Sequence, residues 1–137
     1  MTELLVTSDL DHLPLVLDFV RAACIDAGMN SDEVFACELA TDEACANIME
    51  HAYAGRPDGE IRVRCWVVSG QMFIRFHDTG HPFEPQEIEP PLFTDDLQER
   101  QVGGLGLHFM RTLMDDVVFE FGETGNTVTM SKHIGEP

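Results

Sequence analysis

Between Ile61 and His77 the chain alternates in a way that leaves few folds open. Ile61, Val63, Cys65 and Val67 alternate with Arg62, Arg64, Trp66 and Val68, and Ser69-Gly70 turns the chain into a second run from Met72 to His77. Side chains two apart share one face of a strand, so the pattern predicts a hairpin with one face in the core. Glu3 to Thr7 is a further strand candidate. Val117 to Phe121 and Thr127 to Lys132, joined through Gly122 and Gly125-Asn126, predict two closing strands.

Other segments read as helices. Ser8, Asp9 and Asp11 offer caps for a helix from Leu13 to Ala27. Gly28, Asn30 and Ser31 break it, and Ser31-Asp32-Glu33-Val34 restarts a helix with acids in its first turn, where they favour the dipole. That helix continues to Ala52 and ends at Gly55, Pro57 and Gly59, and a third runs from Leu105 to Leu113. From Asp78 to Val102, which holds Pro82, Pro85, Pro90 and Pro91, no period is visible and a long loop is expected. No repeat or linker divides the chain, so residues 1–137 are expected to form one domain.

Composition narrows the function. Eight Lys and Arg against 25 Asp and Glu give a formal charge of −17. Binding to a phosphate backbone needs clustered positive side chains, which excludes nucleic acid and an anionic membrane as expected targets. The acidity serves solubility or steers towards a basic protein partner. Cys24, Cys37, Cys45 and Cys65 form no C-x-x-C spacing and are expected to be buried free thiols. No apolar stretch approaches the roughly 18 residues of a membrane helix, and the N-terminus lacks the basic start of a secretion signal, so a cytoplasmic location is expected.

Three segments look chemically specialised. Glu43 precedes Asn47 by four residues in the second helix, which places a proton-accepting carboxylate and an amide oxygen able to hold a hard cation on one face. In Phe76 to Phe83 a strand ends in Asp78-Thr79-Gly80. This reads as a turn, or as a carboxylate that selects a ring bearing an exocyclic amine, with Gly80 admitting the ring to the backbone. Gly103-Gly104-Leu105-Gly106-Leu107 leads into the third helix, where free N–H groups can hold an anion or the glycines can serve close packing. His77 and His81 straddle a strand end and a loop, which does not suit paired metal ligands, and no P-loop motif is present.

In order, Glu43-x-x-x-Asn47, Asp78-x-Gly80 and Gly103-Gly104-Leu105-Gly106 resemble the three boxes of the GHKL ATP-binding superfamily, which includes gyrase, the MutL repair proteins and histidine kinases. With His51-Ala52-Tyr53, Leu92-Phe93-Thr94, the run Gly103 to Val117 and the closing Thr127 to Lys132, the chain resembles anti-sigma factor serine kinases of the bacterial partner-switching type. Asp42 departs from the serine that those kinases carry just before the glutamate.

The resemblance implies an α/β (α+β) two-layer sandwich, with helices on one face of a mixed or antiparallel sheet, MgATP between the helices, and a lid over residues 84–102. It implies that Asn47 binds Mg²⁺, Asp78 holds the adenine amine, Gly80 and Thr127 line the adenine pocket, and Gly103, Gly104, Leu105 and Gly106 wrap the phosphates. Arg100 and Arg111 are candidates for phosphate contact. Glu43 would orient and deprotonate an attacking hydroxyl, where histidine kinases carry asparagine. The implied activity is transfer of the γ-phosphoryl of ATP to a serine of an STAS-type anti-anti-sigma protein, with sequestration of a sigma factor, and a homodimer is among the implied assemblies. The alternative is a nucleotide-sensing module that sequesters a partner without transferring phosphate.

Overall fold

The computed structural model describes residues 2–82 and 110–135. In chain order the elements are β1 (Thr2–Thr7), a 3₁₀ turn (Leu10–His12), α1 (Leu13–Asp26), α2 (Ser31–Asn47), a π turn (Ile48–Ala52), β2 (Glu60–Val68), β3 (Gln71–Asp78), β4 (Asp116–Gly122) and β5 (Gly125–His133). Residues 110–113 are helical and continue the third helix expected from the sequence.

The described strands form one sheet in the order β1-β2-β3-β5-β4, with every neighbouring pair antiparallel. The hairpin register sets Val63 opposite Phe76 and Cys65 opposite Ile74. The face expected inside is therefore inside: Ile61, Val63, Cys65, Met72, Ile74 and Phe76 are all buried. Val67 is the exception, exposed where Ser69 and Gly70, both at positive φ, close the turn.

Both helices pack on that face and share its core cluster. α1 contributes Val16, Val20 and Cys24, while α2 contributes Ala36, Cys37, Ala40, Ala44 and Cys45, small side chains that let its backbone lie close to the sheet. α2 begins at a reciprocal capping box, in which Asn30 Oδ1 accepts from the Glu33 N–H and Glu33 Oε1 accepts from the Asn30 N–H, both at 2.8 Å. The cap is thus Asn30, and the helix starts at Ser31, as the sequence pattern suggested. Glu33 Oε2 also accepts from Gly135 N, tying the chain's last described residue to the helix start.

The four cysteines are buried and free. Burial pushes the Cys45 and Cys65 thiols up to about 12, which removes them as nucleophiles.

Candidate functional site

Two chain segments meet where α2 ends. The five-residue π turn directly after Asn47 widens the helix, and such turns recur where a helix presents a functional side chain. The Ala52 carbonyl, left without an α-helical partner, accepts from the His81 N–H at 2.7 Å. A Cβ at Gly80 would collide with that carbonyl. The helix end packing against it is thus one reason for glycine at position 80, beside the ring approach that the sequence suggested. Tyr53, the next residue, holds the same turn: its Oη accepts from Thr79 N at 2.9 Å and donates to the Glu60 carbonyl at 2.5 Å.

A pocket open to solvent lies beside this junction. Ile48, Ala52, Met110, Phe119 and Val128 make it largely apolar; its polar side chains are Asn47, Asp78 and Asn126, and Thr127 also lines it. A mostly apolar cleft with a few polar groups is the usual form of a small-molecule site. Asp78 is 3% exposed. Its Oδ1 accepts from Gly80 N at 2.9 Å and from Asn126 Nδ2 at 2.8 Å, and its Oδ2 accepts no hydrogen bond among the described residues. Burial raises its pKa above the usual carboxylate range, against the opposing pull of those two bonds and of His77. The group is an aimed acceptor with one oxygen left for a ligand donor.

Asn47 ends α2 at the pocket wall, and its amide nitrogen is buried without a partner among the described residues. A carboxamide in this state is not holding the fold together, so its polarity is available to a ligand. Among the described residues no group of three or more His, Cys, Asp or Glu could cage a metal. A cation here fits one held mostly by phosphate and water, with a single amide oxygen from the protein, the manner in which Mg²⁺ is commonly bound. Glu43 stands one turn earlier on α2, partly exposed and outside the pocket lining. Burial, then Asp42 and Glu50, raise its pKa, which makes it a stronger base than a free carboxylate.

Asn47, Asp78 and Thr127 therefore meet at one pocket, with Gly80 bonded into its rim. Thr127 alternates on β5 with buried Asn126 and Val128, so the pleat gives its side chain to the outer sheet face, where it also borders a groove with Arg62, Arg64 and Arg75. The inward side chain is that of Asn126, which the sequence reading did not single out. The period-two pattern through Val128 and Met130 was the available signal. Arg111 is exposed. Arg100, Gly103, Gly104, Leu105, Gly106 and the whole of the expected lid, residues 84–102, lie outside the described residues.

Comparison with known proteins speaks to the family and the fold. Residues 6–132 match the family model described as a histidine kinase-like ATPase domain. The serine-protein kinase RsbW of Listeria monocytogenes serotype 4a (strain HCC23) is 36% identical over 114 residues, covering 80% of this chain and 72% of that protein. Its namesake from Bacillus subtilis (strain 168) is 32% identical over 111 residues, covering 78% and 69%. Among solved structures, the RsbU and RsbW domains of Rv1364c from Mycobacterium tuberculosis superpose with a TM-score of 0.70 at 18% identity, over all of this chain and 34% of that one. The catalytic domain of the histidine kinase ThkA superposes at 0.58 and 15%, over 98% of each chain. Both structural likenesses speak to the fold.

Proposed function

The chain belongs to the histidine kinase-like ATPase family, with the RsbW serine-protein kinases among its relatives, and from that membership we propose that it transfers the γ-phosphoryl group of ATP to a protein serine. The acceptor is an STAS-type anti-anti-sigma protein, and its phosphorylation releases it and leaves the kinase free to sequester a sigma factor. The observation that carries the reading is the meeting of an uncommitted Asn47 carboxamide and a buried, aimed Asp78 carboxylate in the same apolar pocket.

Each residue has a chemical task. Asp78 Oδ2 accepts from the exocyclic amine of adenine, and the apolar walls take the ring faces. Asn47 Oδ1 serves as the protein ligand for Mg²⁺, which, when bound, neutralises charge on the phosphates. Glu43 accepts the proton of the attacking serine hydroxyl, a role that its raised pKa favours. Positioning and charge neutralisation supply most of the rate in such transfers. The phosphoserine product gains a charge of about −1.5 to −2, and a chain of formal charge −17 repels it, which favours release.

The test is incubation with radiolabelled MgATP and each STAS-domain protein encoded nearby, beside Glu43→Gln and Asn47→Ala. Label on a partner serine with the wild type, and on none with Glu43→Gln, supports the kinase. Nucleotide binding without label on any partner overturns it and leaves a sensing module.

A further inference from the structure

Asn126 is 6% exposed, starts the inward row of β5 and lines the pocket. Three acceptors surround one end of its carboxamide: Asp78 Oδ1 at 2.8 Å, the Gly80 carbonyl at 3.1 Å and the His81 carbonyl at 3.4 Å. An oxygen there would face three other oxygens, so the atom must be Nδ2, and the amide cannot turn over. The other end is then fixed as Oδ1, which accepts no hydrogen bond among the described residues. Both residues line the apolar pocket, so each brings to it one acceptor that no described residue engages: Asp78 Oδ2 and Asn126 Oδ1.

We propose that Asn126 is a specificity-determining residue of the nucleotide site, its nitrogen aiming Asp78 and its oxygen serving as a second acceptor for the exocyclic amine of the base. The proposal rests on the nucleotide reading above. An aromatic amine carries two hydrogens, and a pair of fixed acceptors satisfies both, where a lone carboxylate oxygen satisfies one. A ring with a carbonyl at that position would set its oxygen against two acceptors, and buried polar groups left unpaired are what a polar pocket uses to reject a wrong ligand. The same nitrogen ties β5 to the Gly80-His81 turn, so reading the base and closing the turn share one side chain.

The experiment is calorimetric titration of the full chain, with Mg²⁺, against ATP and purine riboside triphosphate, which lacks the amine. The wild type should prefer ATP by about tenfold or more, and Asn126→Ala should lose most of that preference while its affinity for the analogue stays within about twofold. Asn126→Asp, equal in size, faces Asp78 with a second carboxylate; the two cannot both ionise easily, so its ATP affinity should fall as pH rises while that of the wild type does not. An Asn126→Ala that loses ATP and analogue equally, or an Asn126→Asp with a flat pH profile, overturns the assignment and leaves Asn126 a structural tie. A wild type that binds neither compound overturns the nucleotide reading and this one with it.

Discussion

Asp78→Asn should separate binding from stability. In the folded protein burial raises the pKa of Asp78 although two hydrogen bonds and His77 pull it down, so desolvation outweighs all three. A raised folded pKa means that the native state binds this proton more readily than the unfolded chain does. Stability from this group is therefore lost as pH rises through the raised value. Asparagine has the same shape and keeps Oδ1 as acceptor for Gly80 N and Asn126 Nδ2. The variant should melt at or above the wild-type temperature at neutral pH, with the difference closing as the pH falls through the raised pKa of Asp78. Binding moves the other way. Oδ2 becomes an N–H₂ group facing the adenine amine, which removes a charged hydrogen bond worth about 1.5–3 kcal/mol, or a loss of about 10- to 100-fold in affinity. Calorimetric titration with MgATP and thermal melts across the pH range measure the two effects. ATP bound as tightly by the variant as by the wild type would refute the adenine assignment, and a clearly lower melting temperature at neutral pH would refute the account of the buried charge.

Three further outcomes are expected. Gly80→Ala drives a methyl into the Ala52 carbonyl and should destabilise the fold by about 1–3 kcal/mol in urea titration while weakening ATP binding; an unchanged midpoint contradicts the packing role. Tyr53→Phe strips the Oη that Thr79 N and the Glu60 carbonyl share, at a cost of about 1–3 kcal/mol; stability equal to wild type would mean that water replaces it. Glu43→Gln should bind ATP within about twofold of wild type yet lose about 10²- to 10⁴-fold in single-turnover phosphoryl transfer, and wild-type transfer should fall on acidification at a pH above the usual carboxylate range.

Much of the fold was legible because one face of the sheet is buried and a strand shows burial with period two. The β2–β3 hairpin, both closing strands and the limits of α1 follow that way. The π turn was not legible, since Ile48–Ala52 carries no local signature and its form is set by His81 and Gly80, distant in sequence. For the same reason Asn47 and Asp78 could be named but the Tyr53 clamp could not: it joins residues 26 apart through a side-chain oxygen. Asn126 was hidden by its neighbour, because Thr127 looks like the polar residue of a pocket until the pleat assigns the inward position to Asn126.

The central claim is that a hydroxyl, activated by Glu43, receives the phosphoryl group. The chemistry of the labelled bond tests this most directly. After incubation with radiolabelled MgATP and an STAS-domain partner, the label should withstand acid and be lost in alkali, as a serine phosphate ester does, and should be absent with Glu43→Gln. A label that acid removes and alkali spares would mark a histidine phosphoramidate and contradict the account.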